Sequence, residues 1–438
     1  MPMSTPRKQL VATVFVAVLT FASGTVAQNP GRTWMQYATP EEAGFSSEKL
    51  RSVVNLYENN KATALLVVFD GNVLLSRGDI ARRYDTHSMR KSLISALYGI
   101  YSERGTIDIH KTLKEIGIDD SVKLTEEERS ATIQDLLKAR SGIYIPAFGE
   151  SKSMTTSRPV RGSHPPNSFY YYNNWDFNVL GAIFQNETGS NLFEAFDESL
   201  AKPLEMEDFR PIDGRFWRDT TRKTTYPKYD IKMSARDLAR FGTLYCSGGL
   251  WNGRQVLSTE WIAESFTSYS STNDAAPGGG YGYLWWTQVL DDSIPMYMAL
   301  GWGGHLLAVV PNHKLVLVQR YDTYSGSGGD TKTGMYVRMV IAARTSAPAA
   351  TPKLVPLEMK SQEGHFLELS EADLRKYEQE FFMNGRTRNI RYGKYGLVFD
   401  EWYVLHPVSE TRFYADDLEK NIYFKIEGGK PVFDKIGD

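Results

Sequence analysis

Apolar and polar positions divide this chain into four stretches. The first is an uncharged apolar run, Leu10 to Ala22, behind Arg7 and Lys8 and ahead of the small residues Thr25-Val26-Ala27. So short a run does not span a bilayer comfortably and predicts a cleaved signal peptide over residues 1–27. No cysteine stands at the cleavage point. The expected location is therefore periplasmic or secreted, without a stable membrane anchor.

The second stretch, residues 33–344, mixes helical and strand periodicities. Ser47-Glu48-Lys49-Leu50 opens a helix to about Asn59. Ala64–Phe69 and Val73–Ser76 read as a hairpin around Asp70-Gly71-Asn72. A long helix starts near Ser88 and ends at Gly105, and another covers Thr132–Lys138. The polar segment from Gly149 to Ser168 predicts a surface loop framing a pocket. Ser234–Cys246 is an amphipathic helix with Ser234 as N-cap. Met296–Leu300, His305–Val310 and Leu315–Arg320 predict consecutive strands, and Met335–Arg344 a closing helix. The third stretch, 345–356, is rich in Ala, Pro and Thr and reads as a linker. In the fourth, 357–438, a helix over Ser370–Phe381 precedes short strands from Arg388 to Lys435, an antiparallel meander closing into a small barrel or sandwich. This last unit is expected to fold independently.

Composition narrows the chemistry. The chain has 438 residues, enough for one large domain and one small one, and a net charge of -2 with no basic footprint for nucleic acid. Cys246 is the only cysteine, so no intrachain disulfide forms. The 7 histidines show no HExxH or paired spacing, so a zinc site is not expected, and the serine chemistry read below calls for no cofactor, metal or organic.

Ser-x-x-Lys occurs twice, at Ser46–Lys49 and Ser88–Lys91. Such a pair shares one helix face, where the amine can reach the hydroxyl. Ser46 opens a charged surface helix, where an N-cap and a solvated lysine account for it. Behind Lys91 runs Ser92-Leu93-Ile94-Ser95-Ala96-Leu97-Tyr98-Gly99-Ile100, a helix apolar nearly all round. Burial there lowers the lysine's affinity for a proton, and Ser88 sits at the positive end of the helix dipole. On this spacing alone, a structural and a catalytic role stand equally open.

The surrounding phrases resemble the penicillin-recognising serine hydrolases, the superfamily of class C β-lactamases, DD-peptidases, esterases and 6-aminohexanoate-dimer hydrolases. His87-Ser88-Met89-Arg90-Lys91-Ser92 is similar to its first motif. Thr132–Ile143 resembles its TIxxLLxxxSGI segment, and Pro166–Asn174 its PGxxFxYSN motif. The step Val179-Leu180-Gly181 favours Tyr172 and Asn174 as the motif pair over Tyr171 and Asn173. The literal Lys332-Thr333-Gly334 precedes the closing helix with no strands to follow, and reads as a decoy. Counting back from the strand pair places the third motif at Ala299-Leu300-Gly301, ahead of Trp302-Gly303-Gly304-His305.

The resemblance implies an α/β (α+β) fold: a five-stranded antiparallel sheet flanked by helices, an all-helical lobe, and the small C-terminal β-domain. It implies Ser88 as nucleophile, Lys91 and Tyr172 as acid/base, Asn174 as support for Lys91 and the substrate amide, and the Ser88 and Trp302 amides as oxyanion hole. Trp286 would face substrate, whereas Trp285 reads as core. The expected activity is cleavage of ester or amide bonds in small acyl substrates. The rivals are β-lactamase or D-amino-acid peptidase activity, or a non-hydrolytic penicillin-binding-type sensor. With no lysine at the third motif, uncharged acyl substrates are expected to be preferred, unless His305, Arg158 or Arg161 supplies the missing charge. Removal of the chain after about Ala347 is expected to leave an acylatable enzyme.

Overall fold

The computed structural model describes residues 29–221, 223–272, 279–324, 328–329, 332–359 and 366–437. The predicted signal segment lies outside them. Asp70 and Gly71 take φ of 47° and 79°. This left-handed pair suits a two-residue turn and folds Ala64–Phe69 onto Asn72–Gly78. Among the described residues a ten-stranded sheet grows from this hairpin. Its spatial order is Leu354–Pro356, Met35–Tyr37, Asn72–Gly78, Ala64–Phe69, Leu315–Arg320, His305–Val310, Ile294–Gly301, Trp286–Leu290, Gly279–Tyr281 and Ser270–Ser271. The expected five-stranded antiparallel body is the run from Asn72–Gly78 to Ile294–Gly301, with short strands added at both edges.

Alternate residues of the central strands feed two cores. Leu65, Val67, Leu306, Ala308 and Leu317 pack beneath the helices Ser47–Asn60 and Thr333–Ala342. Leu66, Val68, Leu307, Val309 and Val316 face the helix Ala235–Cys246 and the helical lobe. Gly242 lets that helix approach closely, since a Cβ there would fall 2.6 Å from Val316. The lobe is built around the buried helix Arg90–Glu103, with Ile133–Leu137, Asn174–Thr188 and Leu192–Phe196 packed about it. A small sheet of Tyr84–Asp85, Lys228–Met233 and Gly214–Trp217 leads the chain into Ser88.

Seven antiparallel strands from Gln379–Met383 to Lys430–Gly437 form the nearly closed C-terminal barrel. The expected helix over Ser370–Phe381 is shorter: Glu371–Leu374 continues as a 3-10 turn to Tyr377. Gln379–Met383 is instead a strand, because its period is two: Phe381 turns inward onto Phe433 while Phe382 is exposed. The 345–356 segment lies along the main body, with Thr345 N–H donating to Gly44 O (2.8 Å) and Leu354–Pro356 paired to Met35–Tyr37.

The barrel docks through buried charge. Lys232 Nζ donates to Asp417 Oδ2 (2.6 Å) and to Trp402 O (2.7 Å), Arg83 Nε reaches Asp417 Oδ1 (2.9 Å), and Trp402 Nε1–H donates to Asp213 O (3.2 Å). No helix among the described residues is long and apolar enough to cross a membrane.

Candidate active site

The chain reaches Ser88 through a strained turn. His87 takes φ 48°, a left-handed value that costs an L residue roughly 1–2 kcal/mol. A 3-10 turn over His87–Met89 then opens the helix Arg90–Glu103. Lys91, one turn on, is 1% exposed. Its Nζ lies 2.7 Å from Ser88 Oγ and 2.9 Å from Tyr172 OH. Burial, followed by the Arg90 and Lys228 charges, pulls Lys91 well below the ordinary lysine range, against the opposing pull of Asp230. Burial pushes Tyr172 up to about 12, with a hydrogen bond from Ser88 opposing it. The site therefore holds an amine that gives up its proton more readily than a free lysine and a phenol that keeps its own, around a partly exposed hydroxyl. Such an amine can accept a hydroxyl proton, and such a phenol can donate one.

Tyr172 and Asn174 flank the start of the helix Asn174–Thr188, capped by Asn173. The alternative pair is spent elsewhere: Tyr171 OH donates to Met154 O, and Asn173 Nδ2 to Ile143 O. Asn174 differs from the expectation. Its Nδ2 donates to Gly149 O (2.7 Å) rather than supporting Lys91, and its buried Oδ1 has no partner. Asn174 thus holds the polar 149–168 loop, which contains a short helix, Lys152–Ser157.

Trp286 is partly exposed and stands 5.3 Å from the Tyr172 ring, whereas Trp285 is core against Tyr245 and Phe266. Trp302 is 61% exposed and meets His87 edge-on at 5.4 Å. The turn carrying Trp302 abuts the Ser88 turn, since a Cβ on Gly301 would fall 2.6 Å from Thr86 O. Lys332 is exposed at the start of the closing helix, and Ser46 caps its own helix by accepting from Lys49 N–H.

A polar chain that the sequence did not disclose joins these two turns. Tyr321 N–H donates to His305 Nδ1 (3.4 Å), which places the His305 proton on Nε2, 3.5 Å from Thr323 Oγ1. Thr323 Oγ1 lies 2.9 Å from His87 Nε2, and His87 Nδ1 lies 3.4 Å from Asp85 Oδ2. Asp85 Oδ1 also accepts His87 N–H (2.8 Å). Burial holds His305 well below the usual histidine range and brings His87 down to about 4, so both rings are neutral links in the chain.

The three groups that could have supplied the missing third-motif charge are engaged or neutral. Arg158 pairs with Glu150 and Arg161 with Glu128, and His305 is buried. Instead, Lys228 and Asp230 stand beside the site, Nζ to Oδ2 2.8 Å. Their signal was the alternation Lys228-Tyr229-Asp230-Ile231-Lys232, which on a strand puts three charges on one face. No cluster of three or more metal-ligating side chains occurs among the described residues.

A family model described as Beta-lactamase matches residues 63–319. An uncharacterized protein of Alkalihalophilus pseudofirmus is 26% identical over 274 residues, 56% of this chain and 76% of its own length. A proposed 6-aminohexanoate-dimer hydrolase from Bacillus anthracis superposes with TM-score 0.52 at 21% identity, covering 72% of this chain and 89% of its own. An octameric penicillin-binding protein homologue from Pyrococcus abyssi superposes with TM-score 0.51 at 16% identity, covering 89% of this chain and 98% of its own.

Proposed function

The chain belongs to the Beta-lactamase family, and from that premise we propose that it is a serine hydrolase cleaving ester or amide bonds of small acyl substrates through Ser88. The observation that carries this reading is the buried amine of Lys91 placed between Ser88 Oγ and Tyr172 OH, at 2.7 and 2.9 Å. Neutral Lys91, with Tyr172, takes the Ser88 proton as Oγ bonds to the acyl carbon. The negative oxygen settles on the amides of Ser88 and Trp302. As the bond to the leaving group breaks, Tyr172 supplies its proton and is refilled from Lys91. Water, giving up a proton to the same pair, then attacks the acyl carbon, and Ser88 departs with its hydrogen restored. Trp286 and Trp302 provide apolar walls for the acyl group.

A panel of p-nitrophenyl butyrate, a linear amide, a D-amino-acid peptide and nitrocefin tests the reading. Ester or amide turnover that exceeds nitrocefin turnover and disappears in Ser88→Ala, but not in Ser46→Ala, is the expected result. Efficient nitrocefin hydrolysis would identify a β-lactamase instead. Labelling by a fluorophosphonate without turnover of any substrate would identify a sensor.

A further inference from the structure

The strand Lys228–Met233 runs antiparallel to the chain that enters Ser88. Asp85 pairs with Lys232, and Thr86 N–H donates to Ile231 O (2.9 Å), which carries the pairing up to the turn at His87. Tyr229 turns inward beneath the Arg90 guanidinium. Lys228 and Asp230 therefore share the opposite face. The stem of Lys228 lies on the Gly149 turn that Asn174 holds, since a Cβ on Gly149 would fall 2.8 Å from Lys228 Cδ. The charges of both residues are felt at Lys91, His87 and Asp85.

Among the described residues around the cleft, the other cations are committed. Arg90 is 2% exposed and bonds His87 O and Asn178, while Arg158 and Arg161 hold Glu150 and Glu128. Lys228 is partly exposed, its side chain 25% accessible, but Asp230 holds it at 2.8 Å. Asp230 itself is 2% exposed, and its Oδ1 has no hydrogen-bond partner.

We propose that Asp230 is a specificity-determining residue: it occupies Lys228 with a built-in counter-ion, so that the site selects uncharged acyl groups and turns away those carrying a carboxylate. The proposal rests on Ser88 as the nucleophile. A carboxylate entering the site finds the Lys228 ammonium already paired and comes up against the Asp230 carboxylate that holds it. A neutral chain meets no such repulsion. The same like-charge opposition is how proteins reject wrong partners generally.

The test compares p-nitrophenyl pentanoate with the mono-p-nitrophenyl ester of adipic acid, which differ only by a terminal carboxylate, in the full-length enzyme. The ratio of kcat/KM, adipate to pentanoate, is read in wild type, Asp230→Asn, Lys228→Met and the double variant. Asp230→Asn should raise the ratio roughly tenfold by freeing Lys228, the double variant should remove that gain, and Lys228→Met alone should lower the ratio below wild type. The gain in Asp230→Asn should shrink in high salt, as an exposed pair is screened. A ratio unchanged in Asp230→Asn, or a gain that persists in the double variant, overturns the proposal. If Asp230→Asn proves too unstable to assay, an unchanged ratio in Lys228→Met overturns it as well. Retention of pentanoate turnover by Ser88→Ala would instead remove the nucleophile assignment beneath it.

Discussion

Lys91 and Tyr172 touch, so their protons are shared and their titrations belong to the pair. Burial lowers the lysine and pushes the tyrosine up to about 12, which makes the amine the stronger candidate for the base. Lys91→Ala should therefore slow acylation by roughly 10²–10⁴-fold, and Tyr172→Phe by less, in single-turnover assays. The sign of the pH dependence follows: protonated Lys91 cannot accept, so kcat/KM rises as pH climbs through a limb well below 10.5, then stays level until pH nears the tyrosine's value of about 12. A rate that keeps climbing to the ordinary lysine pKa would contradict this. His87 acts through its neighbours, tying the Ser88 turn to Thr323 beneath Gly303. His87→Gly releases the backbone strain and deletes the ring. It should melt higher than His87→Ala, yet both should lose about 10–100-fold in kcat with KM little changed. Equal losses in KM and kcat would argue against positioning.

Local patterns carried the sequence reading as far as the elements. The Asp-Gly hairpin, the Ser234 cap and the alternating central strands all reappear, because each is decided by neighbours within a few residues. Ser88 and Lys91 were readable for the same reason, being one helical turn apart. The misreading at Ser370–Phe381 arose where four helical residues precede a strand whose register is set only by the barrel. The 345–356 segment poses a similar contrast: its composition is that of a linker, yet Leu354–Pro356 finds an edge to pair with. A truncation after Met359 keeps that edge strand, whereas one after Ala347 exposes Met35–Tyr37. Thermal denaturation should show the longer truncate melting several degrees higher, as expected for a difference of about 1 kcal/mol. Identical melting would mean that the edge strand contributes nothing.

At the scale of the whole molecule, contacts far apart in sequence decide what local patterns do not show. Asp417 meets Lys232 across 185 positions, and Thr323 meets His87 across 236. No periodicity encodes either meeting, which is why the polar chain behind Ser88 and the charged seam beneath the barrel were absent from the sequence reading. Asp417→Ala leaves the buried Lys232 with Asp213 Oδ1, 3.4 Å away, as its remaining anion and takes the nearest partner from Arg83, and should cost about 3 kcal/mol in chemical denaturation. A loss below 1 kcal/mol would show the seam to be solvated.

The central claim, that an acyl group passes through Ser88, is tested most directly by trapping it. The enzyme is mixed with excess p-nitrophenyl ester, quenched in acid within the first turnover, and digested for peptide mass mapping. An acyl adduct is expected on the peptide containing Ser88, absent in Ser88→Ala and more slowly formed in Lys91→Ala. An adduct on another residue, or full turnover by Ser88→Ala, would contradict it.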